Sequence, residues 1–314
     1  MRLILGTMTF GPQVDLETSR MMVSRFLDHG NTEIDAAYVY NGGDSERFLG
    51  NILTESLIDS AQVATKVNPR VTGRLDRDAI TSQLNESLER VKRDSVDILY
   101  LHFPDPSTPI NETLEVCAEL YREGKFKRFG LSNFSAWEVV NIWHLCHKSG
   151  WPVPEIYQGL YNGLSRAVER ELIPALRHLG IRFYAYNPLA GGILAGKYQD
   201  FSKEPISGRF THRPNYRSRY WKKPFFDALS ILNDTCNTLG ISLVESAYRW
   251  LAFHSSLDSD LGDGLIIGAS NACQLEQNLG ILVQGPLPET IAKAYDQAWC
   301  AAKSECPDYF RTSV

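Results

Sequence analysis

Four polar residues stand where strand-like apolar runs of this 314-residue chain come to an end: Asp35, Tyr40, Lys66 and His102. Lysine and histidine are rarely buried in the middle of a strand, whereas both can take part in chemistry at a strand end that opens into a cleft. The runs concerned are residues 32–35, 62–67 and 96–102, and Tyr40 follows Asp35 by five positions. Together the four supply a proton donor, a cation to tune it, a counter-ion for the cation and a group that orients a carbonyl.

The tyrosine is the proton donor of this group. A phenol has an ordinary pKa of about 10, so it is a weak acid at neutral pH unless its ionised form is favoured. The buried ammonium of Lys66 would favour that form, and Asp35 would supply the counter-charge that a buried ammonium requires. His102 can hydrogen-bond a carbonyl oxygen and fix its direction. The set suits protonation of an oxygen while another group attacks the carbon.

Each of the four also has an ordinary structural explanation. Asp35 could form a turn, Tyr40 could be a loop aromatic, and Lys66 could lay its stem on an apolar surface. His102 could be a hydrogen-bonded histidine at a strand end. Taken singly these explanations are the more common ones, but the joint occurrence at the ends of the second, third and fourth strands favours a functional site.

The elements that must position these residues follow a strand-then-helix pattern repeated eight times. We predict strands at residues 3–7, 32–35, 62–67, 96–102, 126–131, 155–158, 181–186 and 264–268. We predict helices at residues 16–29, 45–57, 76–90, 109–123, 135–148, 224–239, 242–254, 271–282 and 288–306. A further predicted helix lies between the sixth and seventh strands and ends at 179. Eight such units with short connections predict an α/β fold, an eight-stranded parallel (β/α)8 TIM barrel. It carries a long loop after strand seven, at about 189–223, and an extra C-terminal helix.

A doubly wound open sheet is the rival architecture. It would require Gly-x-Gly-x-x-Gly at its first turn, but residues 6–11 have the wrong glycine spacing. No low-complexity or Pro/Ser-rich linker divides the chain, so we expect residues 1–314 to form a single domain. In a barrel, chemistry occurs at the carboxyl ends of the strands, which is where the four residues would lie.

Composition excludes several classes of protein. The chain is 43% hydrophobic with a formal net charge of −5, which argues against a nucleic-acid or membrane-surface protein. No apolar run approaches the roughly 18–20 residues that span a bilayer, and the apolar start is too short for a secretory signal, so we expect a cytoplasmic location. The six cysteines form no Cys-x-x-Cys pair, and no Cys/His cluster has ligand spacing, so we expect reduced cysteines and no metal site.

Several motifs resemble the signature of the aldo-keto reductase superfamily. These are Asp-x-Ala-x-x-Tyr at 35–40, Ala-Thr-Lys at 64–66 and Val-Asp-Ile-Leu-Tyr-Leu-His at 96–102. The resemblance continues through 130–133, 157–158, 184–189 and 274–278, and so covers essentially the whole chain. The stretches at 183–192, 196–198, 208–210 and 305–310 look like the aflatoxin-aldehyde reductase (succinic semialdehyde reductase) branch. One departure is Ala36, where many relatives carry Thr.

The resemblance implies a nicotinamide cofactor, NADPH, bound without a Rossmann fold. Asn133 and Gln158, with Ser132 beside them, would hold the carboxamide, and Tyr186 would stack on the nicotinamide ring. The loop 187–197 would wrap the pyrophosphate through Asn187, Pro188, Leu189, Gly191, Gly192, Gly196 and Lys197. The adenosine end would be held by Arg209, Ser270, Gln274, Gln277 and Asn278. Many relatives outside this branch carry Arg where Gln274 stands, so nicotinamide binding is better supported than preference for the 2′-phosphate.

The segment 209–223 contains six Lys or Arg residues and no acid. A basic, aromatic stretch could bind single-stranded nucleic acid or could be a solvated loop. In an acidic protein we favour an anion-binding lid instead. The resemblance implies that Arg209 meets cofactor phosphate, while Tyr216 and Arg219, with His102, meet the substrate.

These residues together predict an NADPH-dependent reductase of aldehydes. Its expected substrates are dialdehydes, aromatic aldehydes and carboxy-aldehydes such as succinic semialdehyde, with Tyr40 as the general acid. A small-molecule aldehyde is the expected partner, and relatives of this branch are often homodimers. A cofactor-binding regulatory subunit with little turnover is one alternative. A metal-dependent barrel hydrolase is another alternative. It would require His-x-His on the first strand, and residues 3–7 contain no histidine.

Overall fold

Eight parallel strands close into a barrel in this computed structural model, which describes residues 1–54, 57–205, 209–212 and 214–311, the side chains at 58, 209, 212 and 214 excepted. Each strand pairs with the next in sequence, and the last pairs with the first. The strands are β1 Arg2–Gly6, β2 Glu33–Asp35, β3 Gln62–Val67, β4 Val96–Leu101, β5 Phe126–Ser132, β6 Pro154–Leu160, β7 Arg182–Tyr186 and β8 Gly264–Ile267. The (β/α)8 prediction is therefore confirmed.

The interior of the barrel is filled by alternate residues of the strands. One compact cluster contains Ile4, Ala64, Ile98, Tyr100, Ile156, Tyr184 and Ile266. The residues of opposite parity, such as Leu5, Val63 and Leu99, belong to the separate core between strands and helices. This is the period of two that a strand imposes on its side chains. Gly130 is required in this packing, because a Cβ there would lie 2.4 Å from the Tyr100 ring.

Helices surround the barrel. They are α1 Leu16–Asp28, α2 Asp44–Ile52, α3 Pro69–Thr72, α4 Arg77–Val91, α5 Ile110–Arg122, α6 Ala136–Ser149, α7 Leu172–Leu179, α8 Arg209–His212, α9 Pro214–Tyr220, α10 Lys223–Thr238, α11 Leu243–Phe253, α12 Ala272–Ile281 and α13 Glu289–Ala302. Side-chain caps fix several starts; Asp76, for example, accepts the N–H of Ala79 at 3.0 Å. No helix within the described residues is long and apolar enough to cross a membrane.

The second helix is shorter than its apolar pattern predicts. It ends at Ile52 rather than near 57, because the chain turns there and the N–H of Thr54 bonds to the carbonyl of Ile52 at 3.0 Å. Leu57 still packs against the core, but from the turn that follows the helix. The apolar periodicity therefore predicted correctly that Leu57 packs against the core, but it placed the end of the helix too late in the sequence.

The long segment after β7 is folded rather than extended. Besides α8 and α9 it contains a 3₁₀ helix at Ala190–Ala195. Aromatic rings hold its two ends together: Phe210 lies 5.2 Å from Tyr198 and 5.4 Å from Trp221, measured between ring centroids. Trp221 in turn packs on Phe226 of α10 at 4.9 Å. These contacts hold α9 against the start of the segment, next to the barrel mouth.

Candidate active site

Three of the four residues predicted to do chemistry, Asp35, Lys66 and His102, lie at the carboxyl ends of the strands. Lys66 stands two positions after Ala64 and His102 two positions after Tyr100, so both continue the set of side chains that faces the barrel interior. Tyr40 comes five residues after the end of β2, at the start of a 3₁₀ helix at Tyr40–Gly43. Parallel register aligns the strand ends, with Asp35 opposite Ala64 and Lys66 opposite Tyr100. The same parity applies to Ser132, Gln158 and Tyr186, which follow Gly130, Ile156 and Tyr184. The period of two along each strand therefore brings residues that are distant in sequence together at the barrel mouth. We call this circle of strand-end side chains, with Tyr40, the ring.

Lys66 is the centre of the ring. Its side chain is fully buried, and its Nζ lies 2.7 Å from Oδ1 of Asp35 and 2.6 Å from the carbonyl oxygen of Ala36. The phenol oxygen of Tyr40 lies 3.4 Å from the same nitrogen. The three protons of the ammonium thus have three acceptors, which offsets the cost of burying the charge. Ala36 takes part through its backbone, so the departure from Thr at this position removes no contact to Lys66.

Burial changes the proton affinity of these groups. Burial and then the charge of Asp35 raise the pKa of Tyr40 well above its ordinary value, which contradicts the expectation that Lys66 lowers it. Burial lowers the pKa of Lys66, while the paired carboxylate of Asp35 opposes that shift. Tyr40 therefore holds its proton at neutral pH. Lys66 is placed to stabilise the phenolate once the proton has left, rather than to weaken the resting phenol.

His102 is a neutral hydrogen-bonding group. Burial, followed by the charges of Lys66 and Arg70, lowers the pKa of His102 well below its ordinary value. Its ring lies 6.0 Å from that of Tyr40, at an interplanar angle of 78°. The two side chains are close enough to hold one oxygen atom between them.

Asn68 fixes which nitrogen of His102 carries the proton. Its Oδ1 accepts the N–H of Arg70 at 2.9 Å, so its amide nitrogen faces Nδ1 of His102 at 3.2 Å. Nδ1 is then the acceptor, and Nε2 carries the hydrogen. The sequence pattern had not pointed to Asn68, whose only local signal is the Asn-Pro pair that starts α3.

A second set of contacts links the ends of β5, β6 and β7. Asn133 adopts a left-handed backbone with φ of 65°, and its Nδ2 donates to the carbonyl of His102 and to Oγ of Ser132, both at 2.9 Å. Its Oδ1 accepts the hydroxyl of Tyr186 at 2.9 Å. Nε2 of Gln158 donates to Oδ1 of Asp35 at 2.8 Å. Asn133 is thus bonded to the backbone of His102 at the end of β4, and Gln158 is bonded to Asp35 of the proton-transfer group.

The loop after β7 has a backbone that few side chains could adopt. The φ angle is positive at Asn187, Ala190, Gly191, Gly192 and Gly196. Oδ1 of Asn187 accepts the N–H of Gly191 at 2.7 Å, while its Nδ2 donates to the hydroxyl of Tyr220 at 2.8 Å. A Cβ at Gly192 or Gly196 would meet nothing within 4 Å, so backbone is open to a ligand there. Pro188 is buried, Leu189 is half-buried and Lys197 is exposed.

The start of α12 forms a further polar surface. The N–H of Ser270 donates to Oε1 of Gln274 at 3.0 Å, and Nδ2 of Asn278 to the carbonyl of Gly268 at 3.5 Å. Gln277 is exposed. Both α12 and the 3₁₀ helix at Ala190–Ala195 pack against α11, so one helix supports the two predicted cofactor segments.

The basic segment reaches the ring through α9. Tyr216 contacts Gly191, where a Cβ would lie 3.1 Å from its ring, and its proximity contributes to the raised pKa of Tyr40. Arg219 lies over Tyr216, with 5.7 Å between Cζ and the ring centroid. The prediction for Arg209 falls on a side chain outside the described residues, and so do residues 206–208 and 213.

Two further arginines border the ring, and sequence reasoning missed both. The N–H of Arg311 donates to the carbonyl of Asn133 at 3.0 Å, which holds the C-terminal tail over the end of β5. Arg70 of α3 lies on the face of Phe103, with Cζ 3.9 Å from the ring centroid. The one available signal was the motif at 305–310, which stops one residue before Arg311. Within the described parts of the chain, no three His, Cys, Asp or Glu side chains gather as metal ligands.

Comparison with known proteins assigns the chain to a family. A sequence model of a protein family, described as the Aldo/keto reductase family, matches residues 2–299. The protein named aflatoxin B1 aldehyde reductase member 2 from Mus musculus is 45% identical over 320 residues, covering 98% of this chain and 87% of that protein. The Homo sapiens protein of the same name is 44% identical, with coverage of 98% and 89%. Aldo-keto reductase family 7 member A3 from Homo sapiens is 43% identical, with coverage of 98% and 96%.

Proposed function

This chain belongs to the aldo/keto reductase family, and we propose that it reduces aldehydes to primary alcohols with NADPH. The observation that carries the proposal is the buried ammonium of Lys66, held between the carboxylate of Asp35 and the phenol of Tyr40. Such an arrangement serves to give a proton to an oxygen and to stabilise the phenolate that remains. The names of the similar proteins, which describe aldehyde reductases, support the same reaction.

The residues around the ring fit a nicotinamide dinucleotide. Tyr186 is half-buried at the mouth, as a stacking partner for a flat ring must be. The open backbone at Gly192 and Gly196 suits the close approach of a pyrophosphate. Ser132, Asn133 and Gln158 would hold the carboxamide, while Arg209, Ser270, Gln274, Gln277 and Asn278 would hold the adenosine end. When bound, NADPH supplies the hydride that the carbonyl carbon receives.

The side chains of the ring carry out the proton half of the reaction. His102 donates a hydrogen bond from its Nε2–H to the carbonyl oxygen and thereby orients the carbonyl group. Tyr40 donates its proton to the same oxygen as negative charge develops there, which forms the alcohol. Lys66 stabilises the resulting phenolate, and Asp35 holds the ammonium in place and favours its charge.

We propose a carboxy-aldehyde such as succinic semialdehyde as a preferred substrate, beside aromatic aldehydes and dialdehydes. Arg219 lies over Tyr216 at the mouth, and its guanidinium can bind a carboxylate bidentately. Succinic semialdehyde should therefore be reduced with a kcat/KM about tenfold higher than that of butanal, its uncharged analogue. Arg219→Ala should remove this preference and leave butanal nearly unaffected.

The measurement is NADPH oxidation with succinic semialdehyde, butanal and an aromatic aldehyde. Arg217→Ala is the matched control, because Arg217 lies on the same helix but pairs with Glu204. Survival of the preference in Arg219→Ala would mean that another cation holds the carboxylate. Tight NADPH binding without oxidation by any aldehyde would favour the regulatory-subunit alternative.

A second prediction concerns the tautomer of His102. Asn68→Asp keeps an oxygen that can cap Arg70 at the start of α3, but it replaces the donor facing Nδ1 of His102 with an acceptor. The carboxylate should draw the proton of neutral His102 to Nδ1, and it should also raise the pKa of His102, so that a second proton binds at lower pH. Above that raised pKa Nε2 carries no hydrogen and the hydrogen bond to the carbonyl is lost, so we expect kcat/KM to fall about 10- to 100-fold there.

The pH profile distinguishes this role from simple capping. In the wild type, His102 with a lowered pKa stays neutral and Tyr40 with a raised pKa stays protonated, so reduction should be nearly independent of pH around neutrality. Asn68→Asp should introduce a pH dependence in that range. A wild-type rate and a flat profile in the variant would show that Asn68 only caps α3.

A further inference from the structure

Arg70 lies one aromatic ring away from the catalytic histidine. Its guanidinium carbon is 3.9 Å from the centroid of Phe103, and Phe103 stacks on His102 at 4.7 Å with an interplanar angle of 20°. Arg70 follows β3 by three residues, at the start of α3, and its side chain is partly exposed to solvent. The cation therefore stands at the mouth of the ring, next to the position where a substrate enters.

Two more guanidinium groups, those of Arg219 and Arg311, approach the same place. Burial and then the charges of Arg311 and Arg219 lower the pKa of Arg70, and burial and Arg219 lower the pKa of Arg311. All three interact electrostatically with Tyr186. They come from different parts of the chain, namely α3, α9 and the C-terminal tail. The fold thus gathers three positive charges around one aromatic residue at the barrel mouth.

None of these guanidinium groups has a carboxylate partner within 4.0 Å among the described residues. Arg311 donates to the carbonyl oxygens of Asp308 and Phe310 at 2.7 and 2.8 Å, while Arg70 lies on Phe103 and Arg219 over Tyr216. Charges of like sign that share a site disfavour one another unless an opposite charge enters. One carboxylate can be chelated by a single guanidinium fork. Three guanidinium groups offer more positive charge and more hydrogen-bond donors than one carboxylate can pair with.

We propose that Arg70 completes, with Arg219 and Arg311, a subsite for a doubly charged group, so that an aldehyde carrying a phosphate monoester or a pair of carboxylates is preferred even over one with a single carboxylate, such as succinic semialdehyde. This inference rests on the proposed function, because the subsite borders the same ring. A phosphate monoester carries nearly two negative charges at neutral pH and presents three acceptor oxygens, which three guanidinium groups can share. The subsite would select the substrate by the charge of the end remote from the aldehyde.

The kinetic test compares three aldehydes with the NADPH-loaded enzyme: glyceraldehyde phosphate, succinic semialdehyde and butanal. The wild type should give the highest kcat/KM with the phosphate. Arg70→Met keeps an unbranched apolar stem on Phe103 and removes the charge. We expect it to lower kcat/KM for the phosphate by about 10- to 100-fold, for succinic semialdehyde by less than about threefold, and for butanal hardly at all. Arg74→Met is the matched control, since Arg74 is exposed in the same segment and pairs with Asp76.

Calorimetry with inert anions tests the subsite without catalysis. Malonate and glycerol phosphate, titrated into the NADP-loaded protein, should bind more tightly than acetate, and Arg70→Met should abolish that difference. The stronger of the two identifies paired carboxylates or a phosphate monoester as the favoured group. If no aldehyde is reduced but these anions still bind through Arg70, the proposed function fails and the subsite stands.

Three results would overturn the proposal. A parallel loss for butanal and glyceraldehyde phosphate in Arg70→Met would mean that Arg70 only supports Phe103. A parallel loss of NADPH affinity would assign the guanidinium groups to the cofactor. A wild type that favours succinic semialdehyde over the phosphate, with acetate binding as tightly as malonate and glycerol phosphate, would mean that the subsite accepts one charge only.

Discussion

Tyr40→Phe is expected to reduce the rate of aldehyde reduction by about 100- to 10,000-fold, the usual contribution of a general acid. Phenylalanine keeps the ring that packs edge-on to His102 and lies under the ammonium of Lys66, with 4.8 Å between Nζ and the ring centroid. The hydroxyl is lost, and with it the transferable proton and the acceptor that lies 3.4 Å from Nζ of Lys66. Because the change leaves the cofactor-binding groups in place, the dissociation constant of NADPH should hardly change.

The measurement pairs steady-state kcat with a fluorescence titration of NADPH. Tyr38→Phe is the matched control, since Tyr38 lies two residues earlier and its hydroxyl donates to Glu86 at 2.8 Å, outside the ring. That variant should retain nearly full activity. A kcat close to that of the wild type in Tyr40→Phe would remove Tyr40 from the mechanism.

The parts of the site that the sequence predicts well are those fixed by strand period and strand order. Lys66 and His102 are recognisable because a charged or titratable residue ends an otherwise apolar run. The repeated strand-helix pattern then places such ends on one side of a barrel. Ser132 and Gln158 follow the same rule, and hydrogen bonds tie Ser132 to Asn133 and Gln158 to Asp35 at the barrel mouth.

The parts that the sequence did not predict depend on contacts between distant segments. Arg311 reaches the site because the N–H of this tail residue bonds to Asn133, a contact that no local pattern announces. Arg70 lies in a short helix after β3, and Asn68 caps the start of that helix, which resembles an ordinary turn in sequence. The proton affinity of Tyr40 also depends on how deeply it is buried and on the charge of Asp35, which residue types alone do not specify. Burial and long-range neighbours, rather than motifs, decide these features.

Removing the charge of Lys66 should be more damaging than removing the charge of Asp35. In Lys66→Met the phenolate of Tyr40 would form without the ammonium that lies 3.4 Å from its oxygen, and beside an uncompensated Asp35. Attraction between unit charges at about 4 Å is on the order of 4 kcal/mol at an effective dielectric constant of about 20. Since about 1.4 kcal/mol corresponds to tenfold in rate, turnover should fall by about 1000-fold or more.

Asp35→Asn should cost about 10- to 100-fold, because the asparagine oxygen can still accept hydrogen bonds from Lys66 and Gln158. Burial already lowers the pKa of Lys66 and Asp35 opposes that shift, so the variant should lower the pKa of Lys66 further. The ammonium is then lost as pH rises through this lower pKa, and the remaining activity should decline towards alkaline pH. The test is kcat against pH for both variants, with thermal unfolding to establish that each is folded. If folded Asp35→Asn is the slower enzyme, the carboxylate rather than the ammonium governs proton transfer, and the assigned roles are reversed.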